Sequence, residues 1–156
     1  MEYRIVEIEE GERKAEYTSD ILRKLPAWFG IEESLQDYVD NVHKYPFWAA
    51  FENDHCIGFF SAVIHYNRTG EIYVCGIDSK YHRKGIGRLL YQRLEEYMVD
   101  NCCEYMLVKT ISDTSPDKNY AKTRLFYKKM GFEELITLTE MWDENNPCLL
   151  MIKNIK

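Results

Sequence analysis

The stretch Tyr81-His82-Arg83-Lys84-Gly85-Ile86-Gly87-Arg88-Leu89-Leu90 decides the fold of this chain. The apolar, β-branched run before it, residues 71–77, predicts a buried strand. Apolar residues then recur at helical spacing over 86–98, so the glycines lie where a strand leads into a helix. The unpaired amides of a helix's first turn and the positive end of its dipole favour an anion there. Because Gly85 and Gly87 carry no Cβ, an anion can approach this backbone closely.

The distribution of charge supports an anionic ligand at this loop. Residues 80–93 include five Lys or Arg and no Asp or Glu, whereas the whole chain has 26 acidic and 20 basic residues and a formal net charge of −6. A cationic loop on an acidic protein indicates a bound polyanion, most simply a phosphate or a pyrophosphate. The net negative charge argues against nucleic acid as a general partner.

Two common phosphate-binding motifs do not fit this loop. The Walker A pattern Gly-x-x-x-x-Gly-Lys-Ser/Thr has no match in the chain. The dinucleotide fingerprint needs a third Gly or Ala where Leu90 stands, and the loop falls too late for a first βα unit. The pattern Arg/Gln-x-x-Gly-x-Gly/Ala is instead the signature of the GNAT superfamily, the acetyl-CoA-dependent N-acetyltransferases. Residues 82–87 resemble it, with His82 at the position where the family has Arg or Gln.

A second stretch, Thr123-Arg124-Leu125-Phe126-Tyr127-Lys128-Lys129-Met130-Gly131-Phe132, resembles the family's second cofactor motif. That motif reads Asn-x-x-Ala-x-x-Leu-Tyr-x-x-x-Gly-Phe. Phe126, Tyr127 and the Gly-Phe pair at 131–132 fit it, while Tyr120 replaces the usual Asn and Thr123 the usual Ala. Two motifs in the right order and at the right spacing indicate a member of the family.

The predicted order of elements is β-α-α-β-β-β-α-β-α-β-β, which is the GNAT order. The sequence therefore predicts an α/β (mixed α+β) fold, a central mixed sheet of about seven strands flanked by about four helices. The predicted strands are 3–8, 47–52, 56–66, 71–77, 105–111, 135–142 and 148–153, and the predicted helices are 14–25, 31–45, 86–101 and 119–130. Gly11 is expected to break the chain before the first helix, residues 67–70 to form a turn, and residues 143–147 to form a loop.

Length and composition predict a single domain over residues 1–156. No run is long enough to span a membrane and no signal peptide opens the chain, so we expect no membrane partner. The five cysteines are odd in number and lack a Cys-x-x-Cys pair, which favours reduced thiols in a cytoplasmic protein. The four histidines show no zinc-ligand spacing, so we expect no metal site. A homodimer is left open.

The resemblance implies how acetyl-CoA is held. The backbone of Cys75, Gly76 and Ile77 would pair with the pantetheine arm, and Tyr120, at the position of the family's Asn, is a further candidate for binding the cofactor. The pyrophosphate would lie on the amides of the glycine loop, whose candidate residues are His82, Arg83, Lys84, Gly85, Ile86, Gly87 and Arg88. The alternative interpretation is that the apolar members are core residues and the basic side chains are solvated.

Two residues are candidates for catalysis. The resemblance places Tyr127 near the cofactor sulfur, where it would protonate the departing thiolate; otherwise it is an amphipathic helix residue. A base must remove a proton from the amine, since deprotonating a lysine-like amine of pKa ~10.4 at neutral pH costs about 4–5 kcal/mol. Glu71 is the candidate base, because the protein-lysine branch of the family has a Glu at this offset from its glycine loop. The alternatives are a solvent-facing carboxylate and His65 as base.

The acceptor side is expected in the first third of the chain. Residues 1–55 carry 13 Asp or Glu and six Lys or Arg. In GNAT folds the first two helices and their loop commonly line this side, so Trp28, Phe29 and Glu32 are candidates for binding a cationic, partly apolar amine. In the competing interpretation the two aromatic residues belong to the core. Glu32 then only stabilises the first turn of a helix, where a negative charge is favourable.

These inferences predict an N-acetyltransferase that moves the acetyl group of acetyl-CoA directly to a primary amine. The acceptor would be a cationic small molecule, or a lysine or N-terminal amine. The alternative from another class is a non-catalytic acyl-CoA-binding or regulatory module of the same fold. A nucleotide-binding protein is disfavoured, because both nucleotide fingerprints fail.

Overall fold

The computed structural model describes residues 2–156, which form a mixed sheet of seven strands and four α-helices. The strands are β1 Arg4–Glu7, β2 Phe47–Glu52, β3 His55–His65, β4 Thr69–Ile77, β5 Tyr105–Ile111, β6 Glu133–Asp143 and β7 Asn146–Asn154. The helices are α1 Gly11–Leu22, α2 Glu32–Asn41, α3 Ile86–Asp100 and α4 Lys118–Lys129. The predicted fold class is confirmed.

The sheet has the strand order β1-β2-β3-β4-β5-β7-β6. Every neighbouring pair is antiparallel except β4 and β5, which are parallel. A parallel pair needs a crossover connection, and here the crossover is α3. The connection places the glycine loop, which precedes α3, at the carboxyl end of β4.

Each face of the sheet carries its own apolar core. On one face α3 and α4 cover a cluster that includes Phe60, Ile72 and Leu90. On the other face α1 and α2 cover a cluster that includes Leu22, Phe59 and Val74. Strand residues normally alternate between faces, but an irregularity in β4 places Ile72 in the first cluster and both Tyr73 and Val74 against the second.

Strands β4 and β5 separate within the sheet, which forms the gap between β4 and β5. Their pairing extends only from Thr69 opposite Tyr105 to Glu71 opposite Leu107. Beyond Glu71 the carboxyl half of β4 has no partner strand on the β5 side. An irregularity of register with β3 also falls here, between the pairs Ser61–Val74 and Ala62–Ile72, and leaves Tyr73 as an extra residue. Such a bulge re-aims side chains and strengthens the local twist.

Three predicted boundaries were wrong. Gly11 is the first residue of α1 rather than a break, and a Cβ there would lie 3.0 Å from Cβ of His43, so the helix start packs closely on the segment after α2. Strand β4 begins at Thr69, inside the predicted turn. The last two strands extend to a tight turn at 144–145, so the predicted five-residue loop is shorter.

The ends of two helices also differ from the prediction, and the first is α1, which ends at Leu22 rather than at residue 25. Helix α2 ends at Asn41, and residues Val42–Lys44 continue as a short 3-10 helix.

No helix within residues 2–156 combines the length and the apolar character needed to cross a bilayer.

Candidate active site

The glycine loop joins β4 to α3 and begins with a short 3-10 helix, Ser79–Tyr81. The buried side chain of Asp78 caps this turn by accepting a hydrogen bond from the amide of Lys80 at 3.1 Å. Arg83 and Gly85 have φ values of 64° and 80°. This left-handed region is costly for an L-residue and free for glycine. A Cβ added to Gly85 would meet no atom within 4 Å, so its backbone faces open space.

Gly87 is needed for a different reason from Gly85. A Cβ at Gly87 would lie 2.9 Å from Cε1 of Phe126 and 3.1 Å from Cδ1 of Ile77. Gly87 therefore lets the first turn of α3 approach α4 and the end of β4. Only Gly85 leaves the backbone open to a ligand in the way that the sequence predicted for both glycines.

Exposed cations surround the open backbone at Gly85. Arg83, Lys84 and Arg88 are all exposed, and Lys84 Nζ lies 5.5 Å from the ring centroid of Tyr81. Ile86 is buried in the core on the α3 side. The predicted loop residues thus divide into a cationic rim and buried positions that fix the start of the helix.

Trp28, in the loop between α1 and α2, contacts both the glycine loop and α4. Its ring lies 5.9 Å from that of His82, whose Nε2 is 2.7 Å from the carbonyl oxygen of Ile77. On its other side Trp28 Nε1 donates a hydrogen bond to Thr123 Oγ1 at 3.0 Å, and Tyr120 Oη donates to the Trp28 carbonyl at 2.8 Å. The two departures from the second motif, Tyr120 and Thr123, therefore tie the α1–α2 loop to α4.

Glu71 lies where β4 and β5 separate, and it is buried, with 8% of its surface exposed. Its Oε1 lies 2.7 Å from Nε2 of His65, and its Oε2 lies 3.3 Å from Nζ of Lys109. The interpretation of Glu71 as a solvent-facing carboxylate is wrong. The two candidate bases form one pair, in which His65 is the member nearer to solvent, with 43% of its side chain exposed against 11% for Glu71.

Tyr127 lies on α4 and reaches the gap between β4 and β5 from the opposite face. Its Oη is 3.5 Å from Sγ of Cys75. Burial raises the pKa of Tyr127 well above its usual value, with a further contribution from Cys75. Burial also raises the pKa of the Cys75 thiol to about 11. At neutral pH both groups are protonated, so Tyr127 is a proton donor and Cys75 is a poor nucleophile.

A cluster of tyrosines stands beside Glu71 on the face of α1 and α2. We call Tyr38, Tyr45 and Tyr73 the tyrosine cluster. The ring of Tyr73 lies 5.4 Å from that of Tyr38 and 4.6 Å from that of Tyr45. The sequence analysis missed these residues and Lys109, because they come from separate elements and no local motif marks any of them. The bulge at Tyr73 could have been found only from the pairing of β3 with β4.

The three predicted acceptor residues occupy different surroundings. Phe29 packs against Tyr38, with 6.1 Å between ring centroids, and so borders the tyrosine cluster. Trp28 lies between the glycine loop and α4, as described above. Glu32 is exposed at the start of α2, where both of its carboxylate oxygens lie 2.8 Å from Nη1 of Arg23.

The gap between β4 and β5 brings together groups from both faces of the sheet. A buried carboxylate with a histidine and a lysine lies on one face, and a protonated phenol lies on the other. A reaction in which one group gives up a proton and another receives one fits this arrangement. Within residues 2–156 no three His, Cys, Asp or Glu side chains are grouped so that they could hold a metal ion.

Comparison with known proteins agrees with this geometry. The sequence matches the profile of the Acetyltransferase (GNAT) family over residues 5–132. It is 28% identical over 121 residues to N-alpha-acetyltransferase 30 of Xenopus laevis, a match that covers 73% of this chain. The chain spans about two fifths of the length of that curated relative, since the match covers 42% of it.

Solved structures share the whole fold. A GNAT-family protein from Desulfovibrio desulfuricans superposes with a TM-score of 0.83 at 17% identity, covering 99% of this chain and 100% of the other. An aminoglycoside 6'-N-acetyltransferase in complex with coenzyme A has a TM-score of 0.79 at 19% identity, covering 98% and 97% of the two chains. The motifs, the fold and the match over 5–132 establish that the chain belongs to the acetyltransferase (GNAT) family, the acyltransferases that use acetyl-CoA.

Proposed function

We propose that residues 1–156 act as one N-acetyltransferase domain, which transfers the acetyl group of acetyl-CoA directly to a primary amine. One observation carries the proposal. The sheet opens immediately beyond a buried carboxylate, Glu71, and the hydroxyl of Tyr127 reaches the same opening from the other face. A proton acceptor and a proton donor are thereby placed on the two sides of one gap.

The residues around the gap fit acetyl-CoA. The carboxyl half of β4, including Cys75, Gly76 and Ile77, lacks a partner strand on the β5 side, so its backbone is available to an extended amide-bearing ligand. The open backbone at Gly85 and the cationic rim around it suit a pyrophosphate. Tyr120 borders the same side of the site through its contact with Trp28. When bound, acetyl-CoA supplies a thioester carbonyl as the electrophile.

Glu71 removes the proton of the acceptor in this proposal. An alkylammonium of pKa ~10.4 must lose a proton before it can attack, which costs about 4–5 kcal/mol at neutral pH. Glu71 accepts this proton directly or through a water molecule. His65, in contact with Glu71 and nearer to solvent, carries the proton away. Lys109 balances the charge of Glu71 until the ammonium of the acceptor competes for it.

Tyr127 protonates the departing sulfur, because its raised pKa keeps the hydroxyl protonated. Cys75 does not form an acyl-enzyme, since a thiol of pKa about 11 is almost entirely protonated at neutral pH. Transfer is therefore direct.

The acceptor classes of two relatives frame the test. One solved neighbour is an aminoglycoside 6'-N-acetyltransferase and the curated relative is an N-alpha-acetyltransferase. The purified protein is incubated with acetyl-CoA and a panel of an aminoglycoside, an alkyl diamine, a lysine peptide with a blocked N-terminus and a peptide with a free N-terminus. Thiol release together with an acetylated product supports the proposal. Binding of acetyl-CoA without thiol release to any amine contradicts it and favours a binding module.

A further inference from the structure

The tyrosine cluster is an aromatic corner made of steeply inclined rings. Tyr38 and Tyr73 are inclined by 77°, Tyr45 and Tyr73 by 52°, and Phe29 and Tyr38 by 86°. Rings at such steep angles present their faces in different directions. All three tyrosines are half-buried, so each keeps part of its side chain accessible. Ring faces attract cations, more strongly when the site is partly shielded from water.

The hydroxyls of the cluster lack partners. Within residues 2–156, the phenol oxygens of Tyr38, Tyr45 and Tyr73 form no hydrogen bond with the protein, whereas those of Tyr81, Tyr91 and Tyr120 do. Buried or half-buried phenols usually find a partner. None of the three is a buried atom without a partner, so these hydroxyls in one corner are accessible to a ligand that donates hydrogen bonds.

The backbone of the cluster is fixed. The buried Lys14 donates a hydrogen bond from Nζ to the carbonyl of Tyr45 at 2.6 Å. Burial lowers the pKa of Lys14, and the residue keeps its place through this contact on the segment after α2. Tyr73 is held by the bulge of β4 against β3. The corner is therefore preformed and does not depend on a mobile loop.

Acidic residues outnumber basic ones in the segment that carries Tyr38 and Tyr45. Residues 31–45 carry four acidic residues and one lysine. Burial raises the pKa of Tyr73 to about 12, and the charge of Asp37 contributes, as it does for Tyr38. Glu71 lies two residues before Tyr73 on β4. Carboxylates next to ring faces favour a cation over a neutral amine.

We infer that the tyrosine cluster is the binding site for the acceptor's ammonium group, and that the acceptor is a primary ammonium at the end of an unbranched alkyl chain. This inference rests on the proposed function, because it assigns the acceptor of the same site. The ring faces and the free hydroxyls hold the protonated amine. Glu71, two residues before Tyr73 on β4, then takes the proton.

The physical argument distinguishes this class from an N-terminal α-amine. An α-amine has a pKa of about 7.7–8.0, so roughly a tenth of it is already neutral at pH 7 and it needs the base much less. An alkylammonium of pKa ~10.4 is almost fully charged and needs both the cation site and the base. The chemistry fits a free alkyl diamine and a lysine side chain equally, and separate acceptors distinguish these sources.

Binding is tested without turnover. Calorimetry measures the dissociation constant of 1,5-diaminopentane in the presence of CoA, which carries no acetyl group. Tyr73→Leu and Tyr45→Leu remove ring faces, and we expect roughly a tenfold or larger rise in that constant. Tyr38→Phe keeps the ring and removes a hydroxyl acceptor, with a rise of about three- to tenfold. The matched control is Tyr66→Leu, because Tyr66 is 98% exposed in the β3–β4 turn.

Turnover then tests the acceptor class. We expect acetylation of 1,5-diaminopentane, of a lysine peptide with a blocked N-terminus, or of both. In Tyr45→Leu and Tyr38→Phe the KM for that acceptor should rise more than kcat falls, with stabilisation by acetyl-CoA unchanged. The relative kcat/KM of the two acceptors identifies the source. A peptide with a free N-terminus and no lysine should be acetylated at least tenfold less efficiently.

Failure of this inference is separable from failure of the proposed function. Unchanged diamine binding and unchanged KM in folded Tyr38→Phe and Tyr45→Leu would overturn the site, even if acetylation occurs. Preference for the free N-terminus would overturn the acceptor class. Diamine binding that depends on the cluster without any thiol release would overturn the proposed function and leave the site standing.

Discussion

The proposed function divides the molecule into a donor side and an acceptor side, which are built from different parts of the chain. The donor side consists mostly of backbone from one continuous stretch, the end of β4 and the glycine loop, with α4 packed beside it. The acceptor side consists of side chains from α2, the segment after it, β3, β4 and β5. A backbone site requires small residues at fixed spacing, whereas a side-chain site requires only that the fold bring distant residues together.

The two glycines of the loop have different roles. Gly85 leaves its backbone exposed with φ of 80°, and Gly87 makes room for Phe126. The two glycines of one motif therefore serve two purposes: Gly85 leaves space for a ligand and Gly87 allows close packing. On the acceptor side, by contrast, Tyr38 and Tyr73 are 35 positions apart in the sequence, so they form no local motif.

Gly87→Glu should have the largest effect on the donor side. Acetyl-CoA should raise the Tm of the wild-type protein, since a ligand at 100 times its Kd stabilises the native state by about 2.7 kcal/mol. The variant should lose this shift, because the new side chain adds a negative charge and displaces Phe126. Thermal melts with and without acetyl-CoA provide the measurement.

Two smaller variants separate packing from ligand access in that experiment. Gly87→Ala should lower the free energy of unfolding of the unliganded protein by about 1–3 kcal/mol, because the added methyl group overpacks the site. Its Tm without ligand should therefore fall. Gly85→Ala meets no atom and should lose about 1–2 kcal/mol through its left-handed backbone alone. Stabilisation by ATP or NAD instead of acetyl-CoA would contradict the assignment of the loop.

Glu71→Gln tests the acceptor side by removing the proton acceptor while keeping the shape. The rate near neutral pH should fall by about two orders of magnitude, as for the loss of a general base. The deficit should shrink as pH rises, because more of an amine of pKa ~10.4 is then already neutral. Complete pH–rate profiles of both proteins with one identified amine are needed, and binding of acetyl-CoA should be unchanged.

The shape of those profiles distinguishes a base from a cation site. Equal rates at every pH would reject Glu71, and His65 would then be the next candidate. A deficit independent of pH would mean that Glu71 holds the ammonium without taking its proton. His65→Gln is the matched variant, and it should slow the reaction by about tenfold if it only carries the proton away.

Tyr127→Phe tests the hydroxyl that is proposed to protonate the departing thiolate. The leaving thiol has a pKa near ~8.5, so acid assistance is useful without being essential. The maximal rate should fall by roughly one to two orders of magnitude with little change in acetyl-CoA affinity. Single-turnover measurements ensure that chemistry is the step observed. If the single-turnover rate stays at the wild-type value, Tyr127 serves only packing.

Cys75→Ala should have the smallest effect. If transfer is direct, its turnover should stay within about threefold of wild type, because only the backbone of this position is needed and its thiol of pKa about 11 is unreactive. Exposed Cys102 should react with iodoacetamide well before Cys75. A loss of turnover beyond a hundredfold, together with an acetylated Cys75 in the mass spectrum, would indicate an acyl-enzyme instead.

The sequence by itself determined the family, the fold class and the glycine loop. These were readable because strands and helices leave local periodicities, and because a loop that admits an anion must hold glycines next to a helix start. Glu71 became the candidate base through the resemblance to the protein-lysine branch of the family, and that role stays a prediction. Boundaries such as the start of α1 were less accurate, since Gly11 begins the helix to fit against His43.

The arrangement of side chains around the gap between β4 and β5 is visible only in the folded protein. The pairing of His65 and Lys109 with Glu71, the contacts of Tyr120 and Thr123 with Trp28, and the tyrosine cluster all join residues from different elements. Such contacts depend on strand register, on the bulge at Tyr73 and on where β4 and β5 separate. A local pattern carries no information about these features, because each arises from long-range pairing rather than from neighbours along the chain.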